Sequence, residues 1–287
     1  MAILKAENLN YIYSPDSPFK HEALKNVSFS VNKGEILGII GHTGSGKSTL
    51  LQLLNGLLKP TNGRILFDGN DIWANPKEIG AYRFKIGLVF QYPEYQLFEE
   101  TVESDIAFGP KNMKLGETEI KDRVTLTADI VGLNPNLLKK SPFDLSGGEK
   151  RKVAIAGVMA MKPSVIVFDE PTAGLDPVGR ERILKAIMDY RRLNDATVII
   201  VSHSMEDMAV ICDKILVMNN GNVFMHNSVD KVFSEYEKLK EIGLNVPEIT
   251  RVMFALKEAG IDIDTNVYTV EKAVSVINGY LSGGVSV

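Results

Sequence analysis

The sequence predicts an α/β fold built around a mainly parallel central sheet. Three observations lead to this prediction: short apolar runs that end in polar residues, an alternating amino-terminal stretch with Gly and Asn turns, and an inserted stretch with helical periodicity. Of the 287 residues, 45% are hydrophobic and 24% are charged, which is an ordinary globular balance. The chain is therefore long enough for one large domain with a smaller one appended.

The amino-terminal stretch is expected to form an antiparallel β layer. The segments "ILKAENLNYIY", "LKNVSFSV" and "GRILFDG" alternate apolar and polar residues and are separated by turn residues. The first of them lacks the basic start and continuous apolar core of a signal peptide. We therefore interpret it as part of the folded domain.

Four apolar runs predict buried parallel strands. They cover residues 35–41, 164–170, 197–203 and 214–221. In open α/β sheets, ligands bind at the carboxyl ends of the strands. The residues that end the first three runs are therefore expected to converge on one place. They are Gly41, Asp169, Glu170 and His203.

Residues 92–150 differ from the rest and predict a helical insertion. The segment "ETEIKDRVTLTADIVGL" has apolar residues at helical spacing, and Pro110, Pro135 and Pro142 are expected to bound the helices. With the helix that follows, we expect a helical subdomain over about 92–157, between the two halves of the sheet.

The carboxy-terminal segment predicts two amphipathic helices, in "VPEITRVMFALKEAG" and "TVEKAVSVINGYL". Two such helices cannot make a core alone, so they must pack on something. One interpretation has them dock on their own domain, and the other has them form a dimerisation module. The sequence predicts a main domain over 1–228 and a helical domain over 229–287.

Charge, cysteine content and hydropathy limit the function classes. A net charge of −4 gives no electrostatic reason to expect nucleic acid as a partner. The single Cys212 cannot form an internal disulfide, which favours a reducing compartment. No run of apolar residues approaches the length of a membrane span, so other chains would supply any membrane segment.

The segment "GHTGSGKST" at 41–49 fits the phosphate-loop pattern G-x-x-x-x-G-K-[ST] and lies between a predicted strand and a predicted helix. Its glycines allow successive backbone N–H groups to surround a phosphate, and the helix N-terminus adds its dipole. We expect Lys47 to reach the β and γ phosphates of ATP and Ser48 to ligate Mg2+. The other residues of this expected site are Gly41, His42, Thr43, Gly44, Ser45, Gly46 and Thr49.

Four further residues are candidates for the chemistry of hydrolysis. Asp169 closes an apolar strand, the position from which a carboxylate holds Mg2+. Glu170 beside it is expected to act as the general base on water, and His203 to bond the γ-phosphate. Gln91 follows "KIGLVF" and is expected to contact Mg2+ or the water as a sensor. The predicted catalytic set is Lys47, Gln91, Glu170 and His203, and the predicted Mg2+ ligands are Ser48, Gln91 and Asp169.

A second Ser-Gly-Gly turn, in "LSGGEKRKVAIAG", cannot obviously serve the same ATP. The ordered set of phosphate loop, Gln91, "LSGGE", "VIVFDEP", "AGLD" and His203 resembles the ATP-binding subunits of ABC transporters across about residues 3–225. The resemblance implies a P-loop NTPase (RecA-like) core with an N-terminal antiparallel β layer, a helical signature subdomain and a C-terminal helical extension. It also implies head-to-tail dimers, in which the Ser-Gly-Gly turn of one chain covers the ATP of the other.

The resemblance assigns further residues. Ser146, Gly147 and Gly148 would bind the partner's ATP, and Asp176 of "AGLD" would contact the partner. Tyr13 matches the aromatic residue that stacks on adenine, with Tyr11 as a competitor. Glu149 stands where Gln is commoner in the signature.

Three segments look like the second ATPase type of energy-coupling factor (ECF) transporters: residues 89–113, "LSGGEKRKVAIAGVMAMKP" and "GLNVPEITRVMFALKEAG". That family implies a peripheral ATPase at the cytoplasmic face of the membrane. It would drive the uptake of a vitamin or transition metal ion. Its partners would be a second ATPase in a hetero-dimer, a transmembrane coupling subunit and a membrane substrate-binding subunit. Acids near the Gln91 segment could receive basic coupling helices or simply form a solvated acidic face. They are Glu94, Glu99, Glu100 and Glu103.

Two other functions fit parts of the pattern. One is an ATPase that serves another ABC transporter. The carboxy-terminal segment and the sequence of residues 91–113 argue against it. The other is a non-transport ABC ATPase that acts on DNA or ribosomes. The short span between Gln91 and Leu145 leaves no room for the long coiled coil that such chains usually carry.

Overall fold

The computed structural model describes residues 1–283. Its strands are β1 Ala2–Tyr13, β2 His21–Asn32, β3 Ile36–Ile40, β4 Asn62–Phe67, β5 Asn70–Asp71, β6 Ile86–Val89, β7 Val165–Asp169, β8 Thr197–Val201, β9 Lys214–Asn219 and β10 Asn222–Ser228. Its helices are α1 Lys47–Leu54, α2 Ile79–Lys85, α3 Val102–Asn112, α4 Glu117–Ile130, α5 Gly147–Ala160, α6 Pro177–Asn194, α7 Met205–Ile211, α8 Val229–Phe233, α9 Tyr236–Glu241, α10 Glu248–Glu258 and α11 Val270–Gly283. Within these residues, none of the helices combines the length and the apolarity needed to cross a bilayer.

The larger sheet has six strands in the order β10-β9-β3-β8-β7-β6. The four predicted runs form its neighbouring strands β9, β3, β8 and β7, all parallel, which confirms that prediction. A fifth parallel strand, β6, pairs with β7 and was missed. Its four residues are all buried, but a run this short directly after helix α2 has no sequence signal of its own.

The smaller sheet is antiparallel, in the order β2-β1-β4-β5, which confirms the predicted β layer. Alternate residues of β3 point to opposite faces of the larger sheet. Leu37 and Ile39 pack against the smaller sheet, whereas Ile36 and Ile40 pack against helices. The parallel sheet is therefore buried on both faces, as its continuous apolar strands require.

The predicted helical insertion consists of α3, α4 and α5, joined to the core through buried residues such as Ile106, Val124 and Ile155. Pro135 and Pro142 begin short 3-10 turns, as boundaries should. Pro110 is different, because it lies inside α3. Pro110 donates no backbone hydrogen bond and its ring crowds the preceding turn, but the helix ends within three residues, where Met113 N–H closes the last turn on the Gly109 carbonyl (3.0 Å).

The carboxy-terminal helices divide between two cores. Val232 and Phe233 of α8 belong to the main core, whereas α10 and α11 share a small cluster centred on Met253. The two amphipathic helices therefore pack partly on each other. On α11, Val270 and Val274 remain 60% and 52% exposed. The predicted domain boundary at residue 229 falls at the start of α8 and stays a prediction.

Candidate nucleotide site

A cleft of about 330 Å³ opens at the carboxyl ends of β3, β7 and β8. It is lined by Tyr13, His21, Ala23, Thr43, Gly44, Gly46, Lys47, Ser48, Thr49, Gln91, Asp169, Glu170, Val201 and His203. The expected convergence of distant motifs on one sheet edge therefore occurs. His21, Ala23 and Val201 had no motif to identify them.

The phosphate loop connects β3 to α1 in a conformation that requires glycine. Gly44 and Gly46 have φ values of +81° and +99°, in the left-handed region. A Cβ on Gly46 would also lie 2.6 Å from the Ala23 carbonyl oxygen. Helix α1 begins at Lys47 without a side-chain cap, so its first N–H groups are open to an anion at the loop.

Lys47 supplies the positive charge of the cleft. Its side chain is buried, and Nζ donates to the carbonyl oxygens of Gly41 (2.6 Å) and His42 (3.1 Å). Burial lowers the pKa of Lys47, while the carboxylates Glu170 and Asp169 act in the opposite direction. The ammonium group therefore lies within the curl of the loop, where a phosphate would contact it.

Oxygen atoms suited to Mg2+ lie on the wall next to the loop. Ser48 Oγ donates to Asp169 Oδ2 at 3.0 Å, and Gln91 is exposed on the same cleft. Burial raises the pKa of Asp169, an effect opposed by the Ser48 hydrogen bond and the Lys47 charge. A hydroxyl, a carboxylate and an amide are hard oxygen ligands, so these three residues fit a magnesium ion.

Glu170 is held in an unusual backbone conformation that aims its carboxylate at the cleft. Its φ is +51°, and its N–H bonds the Val201 carbonyl at 3.1 Å. Glu170 Oε1 lies 3.3 Å from His203 Nε2, but it has no aligned hydrogen-bond partner among residues 1–283. Burial raises the pKa of Glu170, and His203 opposes this. A buried carboxylate oxygen without a partner is suited to accept a proton from water.

The remaining loop residues support the cleft from behind. His42 Nε2 lies 3.0 Å from Asn219 Oδ1, and Ser45 is fully buried.

Tyr13 lines the cleft, is 37% exposed and contacts Thr49 Oγ1 through its hydroxyl at 3.1 Å. Tyr11 packs edge-on against Tyr13 and does not line the cleft. This geometry favours Tyr13 over Tyr11 as the surface for a base.

Comparison with known proteins gives the family. The sequence model of the ABC transporter family matches residues 24–173. The chain is 51% identical to the energy-coupling factor transporter ATP-binding protein EcfA2 of Caldanaerobacter subterraneus subsp. tengcongensis, over 98% of both chains. It is likewise 51% identical to EcfA2 of Clostridium tetani, over 94% of both chains. The chain belongs to the ABC transporter ATPases. It is an ATP hydrolase of the ECF type.

Solved structures agree with this membership. The chain is similar to cbiO1 of Clostridium perfringens, described as part of the ABC transporter complex cbiONQ, with a TM-score of 0.74 and 42% identity over 88% of this chain and 99% of the other. It is also similar to the dimeric ATP-binding cassette MJ0796 bound to ADP and Pi, with a TM-score of 0.71 and 28% identity over 79% and 98% of the two chains. The predicted P-loop NTPase core is therefore confirmed.

The signature turn of this ABC ATPase lies outside the cleft. Ser146 caps α5, and its N–H donates to Glu149 Oε2 at 2.9 Å while Glu149 N–H donates to Ser146 Oγ at 3.4 Å. Glu149 therefore completes a reciprocal capping box, which either Glu or Gln can form at this position. Gly147 and Gly148 are exposed, and Asp176 caps α6 by accepting from Gly179 N–H at 2.8 Å. None of these residues lines the cleft.

One ion pair of this ABC ATPase was not foreseen. Glu94, predicted as a candidate for receiving basic coupling helices, instead accepts two hydrogen bonds from Arg151 at 3.0 and 2.8 Å. The assignment of Glu94 to the acidic surface is therefore wrong. No sequence signal joins two residues 57 positions apart in different motifs.

Proposed function

We propose that this chain is the ATP-binding and ATP-hydrolysing subunit of an ECF importer, which couples closure of an ATPase dimer to uptake through separate membrane subunits. The observation that carries the proposal is that one cleft combines a phosphate loop, oxygen ligands and the buried carboxylate of Glu170, while the signature turn faces outward. Among residues 1–283, Glu170 Oε1 has no aligned hydrogen-bond donor. The near full-length similarity to EcfA2 proteins supports it.

In this proposal each residue of the cleft has one task in hydrolysis. Lys47 and the N–H groups of the loop hold the β and γ phosphates of ATP. Ser48, Asp169 and Gln91 would hold Mg2+, which neutralises phosphate charge when bound. Glu170 accepts the proton of the attacking water, and His203 bonds the γ-phosphate.

The signature turn would act on a second chain. The N-terminus of α5 carries the partial positive charge of a helix end, and Ser146, Gly147 and Gly148 expose it to solvent. In a head-to-tail dimer this end would cover the ATP held by the partner, and Asp176 would lie at the same interface. We propose a second ATPase of the first ECF type as that partner, which makes the dimer a hetero-dimer.

A membrane coupling subunit would dock on the helical insertion. An apolar groove of about 400 Å³ lies there, with Phe98 and Phe108 in edge-to-face contact at 4.8 Å between ring centroids. Phe98 is 58% and Phe108 42% exposed, so the two rings form one exposed apolar patch, and contiguous patches of this kind mark interaction sites. Glu99, Glu100 and Glu103 follow Phe98 in the chain and would receive basic residues of the coupling helices.

The carboxy-terminal helices would stabilise the dimer. The exposed valines Val270 and Val274 lie on one face of α11, one turn apart, with Leu281 further along at 61% exposure. An apolar stripe of this kind favours association with another chain.

With these partners, the proposed location is the cytoplasmic face of the cell membrane. There the chain would form a complex with a second ATPase, the coupling subunit and a membrane subunit that binds a vitamin or transition metal ion.

The test is to tag this chain in its own host, solubilise the membranes gently and identify what co-purifies by mass spectrometry. We expect a second ATPase and two membrane proteins. The matched pair of variants is Glu99→Lys with Glu100→Lys, which should lose the membrane proteins, and Glu117→Lys with Asp122→Lys on exposed α4, which should keep them. Retrieval of soluble, ribosomal or DNA-associated proteins alone would reject the importer assignment.

A further inference from the structure

A buried arginine on α5 connects parts of the molecule that lie in separate motifs. Arg151 follows the signature turn by one helical turn and is only 4% exposed through its side chain. An arginine remains charged in proteins, so burial at this depth requires full compensation. The partners that compensate it show what the residue joins.

The guanidinium group has two kinds of partner. Nε and Nη2 donate to the two carboxylate oxygens of Glu94 at 3.0 and 2.8 Å, which is a bidentate ion pair. Nη1 donates to the carbonyl oxygen of Ala173 and lies 3.5 Å from that of Pro171. The Cζ atom of Arg151 lies over the Tyr92 ring, 5.9 Å from its centroid. A lysine could not reproduce this planar set of donors.

These partners belong to the catalytic segments. Glu94 lies three residues after Gln91, and Pro171 directly follows Glu170. The helix that carries Arg151 begins at the signature turn, at Ser146. One side chain therefore ties the Gln91 segment, the loop after the general base and the signature helix into a single arrangement.

Stability alone does not explain such a pair. A buried ion pair contributes little net stability, because the cost of removing both charges from water offsets their attraction, and apolar residues of similar size often replace it without loss. What a bidentate pair provides is a defined geometry. A defined geometry matters where a carboxylate must be aligned with water and phosphate.

We propose that Arg151 is a positioning residue for hydrolysis, which acts by fixing the Glu170 loop and the signature helix relative to the Gln91 segment through Glu94. In the head-to-tail dimer, an arrangement that rests on the proposed function, Glu170 and the signature turn of one chain act on different ATP molecules. Arg151 then directly connects parts of the two ATP sites. Because Glu94 also precedes Phe98 of the groove, a bound membrane subunit would act on the same link.

The test compares two double variants of the full chain, purified with whatever partners it retains. Arg151→Met with Glu94→Gln removes the pair without leaving a buried charge behind. Arg123→Met with Glu119→Gln is the control, because Arg123 is also mostly buried and bonds Glu119 and the Ala160 carbonyl at the far end of α5. The readouts are kcat and KM for ATP hydrolysis, the Kd for MgATP and the Tm.

For Arg151→Met with Glu94→Gln we expect kcat to fall by about 10-fold or more, with the Kd for MgATP unchanged, because positioning is lost while the phosphate loop is intact. The control should change the Tm by a similar amount and leave kcat within about twofold of the wild type. An unchanged kcat in the first variant, an equal loss of kcat in both variants, or an effect on KM alone would overturn the proposal. Failure to retrieve membrane partners would reject the importer assignment but leave this test intact.

Discussion

The phosphate loop and the signature turn are two glycine-rich turns that each precede a helix, but their surroundings differ. In the loop, Lys47 and Ser45 are buried, and the cleft around them contains acids and a histidine from other strands. In the signature turn, Gly147 and Gly148 are exposed, and a Cβ added to either would meet no atom within 4 Å. A similar local motif therefore occurs once inside a cleft and once on an open surface.

A glycine-rich turn before a helix supplies only part of an ATP site. A helix N-terminus attracts an anion wherever it lies. Hydrolysis also needs a base and metal ligands. The residues that we propose for these roles are Glu170, Ser48 and Asp169, and they line the cleft at the phosphate loop. The signature turn is therefore interpreted as half of a site whose other half is supplied by a second chain.

The largest expected effect concerns the cleft side of the comparison. Glu170→Gln removes the proton acceptor and keeps the shape, so hydrolysis should fall by about 100-fold or more while MgATP binding persists. Hydrolysis rate and equilibrium MgATP binding measured on the same sample check this. Wild-type turnover in Glu170→Gln would remove this residue from the role of base.

Addition of a chelator to the wild type should likewise stop hydrolysis if Ser48, Asp169 and Gln91 hold Mg2+.

A smaller effect is expected at the edge of the cleft. Tyr13→Ala should raise the Kd for ATP by about tenfold through loss of stacking, with kcat at saturation unchanged. Tyr13→Phe is the control, because it retains the ring and loses only the hydroxyl contact with Thr49. If the affinity of Tyr13→Ala were that of the wild type, the adenine contact would be reassigned to Tyr11.

Much of the cleft was predictable because each of its motifs carries its own chemistry. The strand ends at Asp169 and His203 and the loop at 41–49 were identified in this way, and the sheet brings them together. The pairing of Arg151 with Glu94 was not predictable, since it depends on how the helical insertion packs. The helical position of Pro110 depends on the same packing.

The smallest effect concerns the signature side. Glu149→Ala breaks the capping box and should lower the free energy of unfolding by about 0.5–1 kcal/mol, whereas Glu149→Gln should retain it. Hydrogen bonds from Ser146 lower the pKa of Glu149. The stabilisation by the Glu149 carboxylate is therefore fully present above the pKa that Glu149 has in the unfolded chain. It is lost as the pH falls through the lower pKa that Glu149 has in the folded protein. Denaturant unfolding of both variants at neutral and acid pH would check this, and equal losses in Ala and Gln would contradict it.

In the proposed dimer, the signature turn does not belong to the ATP site of its own chain. The most direct measurement is the Kd for MgATP of the isolated chain carrying Gly147→Asp in the Glu170→Gln background, followed by its ATP-dependent association with a second chain. An aspartate at the start of α5 suits the helix and adds no clash, but it would repel a phosphate brought to the turn. We predict an MgATP affinity equal to that of Glu170→Gln alone, together with loss of association. A loss of MgATP affinity in the isolated chain comparable to that of Lys47→Ala would instead place the signature turn in the ATP site of its own chain.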